Sequence, residues 1–214
     1  MENKVELIQH FGDDLMVVNV ARVSYGKEAK EFTDKDQGLL NYLVKHKHTS
    51  PFRHPQLQFR ITCPIYVERQ LHKHQIGISV NSISGRYVDF SDSYTTVKEW
   101  RKQSESSKQG SEGVIEHQDL AKGIERDVIE NCKEAYMLLL DLGVSKEQAR
   151  TVLPLSLNTT FIWTGSLLAL FHLFNLRLKP DAQTETREIA EKMLSELNSI
   201  DGNPFEGCLK AFSV

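Results

Sequence analysis

The chain has 214 residues, 26 Lys and Arg against 29 Asp and Glu, a net charge of −3, and 40% hydrophobic and 26% charged residues. These proportions belong to a soluble globular protein and exclude a disordered or fibrous one, and the length fits a single domain of roughly 100–200 residues. The opening MENKVELIQHFGDD holds acids where a signal peptide needs a basic and then an apolar stretch, so export is not expected.

Residues 161–174 form the longest apolar stretch, interrupted by Thr164, Gly165, Ser166 and His172. It falls short of the ~20 residues that span a bilayer and reads as a buried helix with its lead-in. Cys63, Cys132 and Cys208 are odd in number and far apart, without a CxxC pair, so neither a disulfide framework nor a zinc site is expected. A reducing cytoplasm fits, with no membrane or nucleic-acid partner. Charge is unevenly spread: residues 45–87 hold seven Lys or Arg against the single acid Glu68, and five histidines (His46, His48, His54, His72 and His74). A solvated basic face explains such a run in general; histidines and apolar segments in the same window point to a concave anion site.

In chain order, residues 5–11 alternate as a strand, and residues 13–24 place Met16, Val20 and Val23 on one face of a helix. Asp34 is read as the N-cap of a helix to about His48, with Leu39, Leu40, Tyr42, Leu43 and Val44 as its apolar face, ended by Ser50-Pro51. Residues 56–62 show the period-two pattern of a half-buried strand. Pro64 suits the first turn of a helix through about Gln75, which would put Gln70, Lys73 and His74 on one face. Residues 81–85 read as a loop and 87–90 as a strand. The low-complexity run SESSKQGSEG, residues 104–113, reads as an exposed mobile connection. Residues 114–142 contain a long amphipathic helix, Ser145 caps a short one bearing Arg150, residues 166–178 form an apolar helix ending near Arg177, and residues 181–200 add another. Strands near the front with helices interleaved and following give an α+β fold.

The segment RQLHKHQIGISVNSISGRY, residues 69–87, resembles the signature of flavin-dependent thymidylate synthases, an R-H-R triplet followed by a serine and then G/Q-R-Y. Here the triplet position reads Lys73-His74-Gln75, and after eight residues comes Ser84-Gly85-Arg86-Tyr87. The segments Ala21-Arg22-Val23-Ser24, KHKHTSPFRH, CPIYVERQ, QARTVLPL and FIWTGSLLALFHLFNLR also resemble blocks of that family, in its order. The resemblance implies a central antiparallel sheet flanked by helices and a homotetramer with active sites drawn from several subunits. It also implies conversion of dUMP to dTMP, with FAD reduced by NADPH and methylenetetrahydrofolate as carbon donor.

Carried over residue by residue, the resemblance makes Gln70, Lys73, Ser82, Ser84, Gly85, Arg86, Arg150 and Arg177 contacts of dUMP. It makes Ser24, His48, Ser50, Lys73, His74, Gln75, Ser82, Ser166 and His172 contacts of FAD. Arginine forks suit a phosphate dianion. Arg177 is the foremost catalytic candidate, since the matching family arginine contacts the uracil ring and a cation there stabilises charge as C5 becomes nucleophilic. A helix-end arginine offsetting the macrodipole is the plainer reading of the same residue. Ser84, the second catalytic candidate, matches a serine once proposed as nucleophile; with no base nearby in sequence it is assigned to positioning.

The chain departs from the family at several points. Lysine and glutamine replace the triplet's two arginines, Arg53 stands where a glutamate is common, Ser82 where an acid or glutamine is frequent, and the loop is one residue longer. A non-catalytic flavin- or nucleotide-binding relative therefore stays open as an alternative. So does a histidine-based metal-dependent hydrolase, although His46/His48 and His72/His74 as i, i+2 pairs on helices would point to different faces.

Overall fold

The computed structural model describes residues 3–89, 92–105 and 110–214. Its centre is a four-stranded antiparallel sheet in the order β1-β2-β6-β3, built from β1 (Lys4–Phe11), β2 (Gln56–Pro64), β3 (Ile78–Ser82) and β6 (Asn158–Ser166). On β2 the alternation does what the sequence says: Leu57, Phe59, Ile61 and Cys63 are buried. β6 lies where a helix lead-in was expected. Its aromatic and β-branched residues fit a strand, and Phe161 and Trp163 pair with Ile61 and Phe59 across the ladder. Continuous with the apolar helix that follows, the run carried no period of its own to tell strand from helix.

Helices α1 (Asp14–Arg22), α2 (Asp34–Lys45), α6 (Leu167–Arg177), α7 (Thr184–Asn198) and α8 (Glu206–Phe212) surround a core of Phe52, Phe59, Phe161, Trp163, Phe171, Phe174 and Phe205. The fold is α+β, a central antiparallel sheet flanked by helices. α1 begins as expected, Asp13 accepting from the Met16 N–H at 2.7 Å. The face it buries differs: Val17 and Val18 enter the core while Val23 is 73% exposed. The rotation follows from Asp14, whose buried carboxylate accepts the Gly207 and Cys208 N–H groups at 2.5 and 2.9 Å and so turns positions 14, 17 and 18 inward.

α2 is capped by Thr33 rather than Asp34, through a reciprocal box with Asp36. It stops at Lys45 because Lys47 takes φ +58° and the His48 N–H returns to the Leu43 carbonyl. Tyr42, expected on the apolar face, is exposed. α3 (Ile65–Leu71) has Pro64 as its N-cap and ends four residues short of Gln75. Lys73, His74 and Gln75 therefore lie in the turn leading to β3, not on a helix face with Gln70.

β3 occupies part of the expected loop, and residues 85–88 turn instead of forming a strand, with Phe90 outside the described residues. β3 reads Ile-Ser-Val-Asn-Ser, in which Ile78 and Val80 favour a strand while Asn81 and the serines read as loop, and its pairing with β6 decides for the strand. The expected connection at 104–113 falls in a hairpin of β4 (Arg101–Gln103) and β5 (Ser111–Val114), with residues 106–109 outside the described ones. α4 (Gln118–Asp141) and α5 (Lys146–Ala149) follow, Arg150 opening a 3-10 turn after α5. The three cysteines are free, and among the described residues no helix is long and apolar enough to cross a membrane.

Asp14→Ala leaves two buried N–H groups of α8 unmet. It is expected to lower unfolding free energy by about 1–3 kcal/mol in urea titrations and to speed amide exchange selectively in α8.

Candidate functional site

The nominated residues gather where α3 ends, β3 begins and α6 ends. Ser166 starts the arrangement: it caps α6, its Oγ accepting from the Ala169 N–H at 3.2 Å, while its own N–H reaches the Gly77 carbonyl at 3.0 Å. Gly77, at φ +74°, is required here, because a Cβ would stand 3.0 Å from the Ser166 hydroxyl oxygen. This close approach pins the 72–77 turn to α6. At the other end of α6, Arg177 Nε donates to His74 Nε2 at 3.0 Å. His74 therefore keeps its proton on Nδ1, and among the described residues the two terminal nitrogens of the Arg177 guanidinium meet no hydrogen-bond acceptor. Burial, then the charges of Arg177 and His172, push the His74 pKa down to about 4, so its ring is neutral at physiological pH.

Gln70, at the end of α3, is held by two residues that sequence reasoning missed. Its Oε1 accepts from the buried Thr186 hydroxyl at 3.1 Å, and its Nε2 donates to Gln183 Oε1. Both partners sit at the start of α7, whose polar run DAQTET signals a helix start but nothing about a contact more than a hundred residues away. Glu68, the lone acid of the basic window, accepts from Ser82 Oγ at 2.7 Å and lies 3.6 Å from His72 Nε2. On the turn after β3, the Arg86 backbone N–H and Nε approach Ser84 Oγ at 3.3 and 3.4 Å, beside buried Gly85. The Arg86 guanidinium stands 5.1 Å from the Tyr87 ring centroid. A cation, not a base, neighbours Ser84, in keeping with a positioning role.

Other nominated residues are not brought to this place within one chain. Arg150 is exposed, its Nε on the Glu147 carbonyl at 3.3 Å. Ser24, His48 and Ser50 are exposed near α1 and α2, with His48 stacked on Tyr42 at 6.0 Å between ring centroids. Lys73 and Gln75, flanking His74 in the 72–77 turn, and His172, on α6 close enough to act on His74, do lie at this place, with their side chains exposed. Arg60, counted in the basic window, pairs with Glu6 across the sheet. His46/His48 and His72/His74 are not i, i+2 pairs on helices, since His46 and His72 are C-caps and His48 and His74 lie beyond the helices. Among the described residues, however, no group of three His, Cys, Asp or Glu is placed to hold a metal ion.

A profile of the family described as thymidylate synthase complementing protein matches residues 6–201. The chain belongs to that family. It is 42% identical over 186 residues to a flavin-dependent thymidylate synthase of Thermus thermophilus, covering 87% of this chain and 68% of that one. A flavin-dependent thymidylate synthase of Kosmotoga olearia is 39% identical over 188 residues, covering 87% and 81%. Among solved structures, a UMP/dUMP methylase from Streptomyces cacaoi bound with 5-Br dUMP superposes with a TM-score of 0.88 at 27% identity, covering 99% of this chain and 95% of that one.

In this member of the thymidylate synthase complementing protein family, two cavities of the single chain lie away from the nominated residues. One of about 410 Å³ is lined by Tyr66, Arg101, Glu185, Glu188 and Lys192. An apolar groove of about 490 Å³ runs along α4 beside Val97, Trp100, Ile124, Val128 and Leu155. On α4 itself, Leu120, Ile124, Val128 and Leu138 are exposed, as is Leu142 at its C-cap.

Two-dimensional NMR of histidine rings should find His74 in the Nδ1–H form and still neutral at pH 5.5. Because its folded pKa lies below the unfolded value, the unfolded chain takes up the proton first as pH falls from 6.5 to 4. Thermal stability should therefore drop over that window more in the native chain than in His74→Asn.

Proposed function

We propose that the chain is a flavin-dependent thymidylate synthase that converts dUMP to dTMP, with methylenetetrahydrofolate as carbon donor and FAD, reduced by NADPH, as hydride carrier. The observation that carries the reading is the Arg177 guanidinium, anchored through Nε on a neutral imidazole with its fork free. The relatives' names and the methylase likeness support it. A cation held this way stabilises the negative charge of an ionised uracil ring, and its anchor spares it reorganisation during the reaction. Ser84 and Gly85 position the nucleotide, Gln70, Lys73 and Ser82 add polar contacts, and Arg86 and Arg150 take the phosphate.

The residues present suit a flavin. Lys73 and Gln75 offer exposed donors to a ring edge rich in acceptors, and Ile76, 84% exposed between them and Gly77, offers apolar cover. When bound, FAD supplies the hydride chemistry, while the chain's part is to hold and orient it. Ser24, His48, Ser50, His74, Ser166 and His172 complete the cofactor set, with Ser166 contributing from its capping position.

The reading includes one domain over residues 1–214, a cytoplasmic location and a homotetramer. Exposure of Arg150, His48 and Ser50 on one chain favours sites completed by other subunits, and the bare apolar side of α4 supplies a surface for association. A binding relative without synthase activity is the second reading, motivated by the loss of two bidentate forks at Lys73 and Gln75.

Anaerobic reduction of the flavoprotein with NADPH and dUMP, followed by methylenetetrahydrofolate, should reoxidise the flavin and yield matching dTMP. Flavin without dTMP would favour the binding relative. Arg177→Ala is expected to lower turnover by about a hundredfold or more with flavin still bound; undiminished dTMP formation would remove Arg177 from the chemistry. Light scattering should give four chains per particle, and an active monomer would refute the assembly.

A further inference from the structure

Gln70 sits at the end of a hydrogen-bonded chain whose direction is set at its far end. On the β4-β5 hairpin, Arg101 donates from Nε to Ser111 Oγ at 2.8 Å and from a terminal nitrogen to Glu185 Oε1 at 2.7 Å. Glu185 Oε2 accepts from Gln183 Nε2 at 3.0 Å. Gln183 then turns its Oε1 to Gln70 Nε2, and Gln70 turns its Oε1 to the Thr186 hydroxyl. An arginine can only donate and an ionised carboxylate can only accept, whereas an amide can present either end. Burial works to raise the Glu185 pKa, but hydrogen bonds from Arg101, the backbone and Gln183 outweigh it and hold the carboxyl below its usual range. Thr186 is fully buried, and the Arg101 and Glu185 side chains are 22% and 17% exposed, so the chain is buried at its Gln70 end and partly buried at the hairpin.

We infer that Arg101, Glu185, Gln183 and Thr186 are positioning residues that fix the amide polarity of Gln70, so that its remaining Nε2 N–H faces an acceptor oxygen of the pyrimidine nucleotide. The inference rests on the reading that Gln70 contacts dUMP. An amide of undefined polarity would present its oxygen half the time, and an oxygen facing a phosphate or carbonyl oxygen leaves an unmet acceptor pair. Because every link between Gln70 and Arg101 is directional, reversing the charges at 101 and 185 reverses the whole chain while keeping an ion pair.

The test uses flavin-loaded protein and dUMP, read by calorimetric titration and by the separation of KM from kcat. Gln70→Ala tests the underlying contact. The double variant Arg101→Glu with Glu185→Lys places a donor-only ammonium beside Gln183 and inverts the relay; Thr186→Val removes the terminal donor and keeps the shape. Both are expected to weaken dUMP binding about tenfold and to raise KM for dUMP by the same factor, with kcat within about twofold and flavin content unchanged.

If Gln70→Ala binds dUMP as tightly as the native chain, the contact itself is wrong and the inference falls with it. If Gln70→Ala weakens binding while Thr186→Val and the charge-reversed protein bind normally, the contact stands and the relay is overturned. Should charge reversal prevent folding, Glu185→Gln decides: its Oε1 still accepts from Arg101 while its Nε2 faces Gln183 as a donor, which inverts the relay with the shape kept, and unchanged dUMP binding there overturns the inference.

Discussion

β6 is hydrogen-bonded along both edges, to β2 and to β3, and passes without a break into α6 at Ser166. A strand buried between two others must satisfy every N–H and C=O in the ladder, so its register is closely specified. That register sets where β3 begins, and the Ser166 N–H on the Gly77 carbonyl brings the 72–77 turn against α6. His74 can then accept from Arg177 only because Ser166 starts α6 and the helix is eleven residues long. The pairing of Arg177 with His74 descends from that junction.

The electrostatics of the site differ from what a count of basic residues implies. Arg60 is spent on Glu6 at the sheet edge, Arg53 reaches Thr49, and Arg86 lies over Tyr87 beside Ser84. His74 adds no positive charge, since burial and then the Arg177 guanidinium keep it neutral. The basic window therefore acts through a few directed donors and not as a uniform field. Glu68, its lone acid, is likewise used locally, as the acceptor for Ser82 and the neighbour of His72.

Elements with a strong local signal were legible. β1, β2, the long α4, α6 and α7 follow from alternation, apolar period and caps, and the family resemblance rested on blocks that the profile match over residues 6–201 bears out. Errors came where a distant partner decides. β6 was hidden in an apolar run, β3 owes its strand form to β6, and α1 is rotated by the clamp between Asp14 and α8. Helix ends slipped for a related reason: α2 ends in the left-handed turn at Lys47, and α3 ends before the Lys73-His74-Gln75 triplet, without a glycine or proline at the stop.

By itself the sequence determined the fold class and the family, because composition, local period and motif spacing are properties of neighbouring residues. Tertiary structure alone decided how those residues are held: Arg177 on His74, Gln70 between Gln183 and Thr186, and Ser82 on Glu68. Those pairings join residues 14 to 116 positions apart, and a hydrogen bond requires placement within a few tenths of an ångström that no one-dimensional pattern encodes.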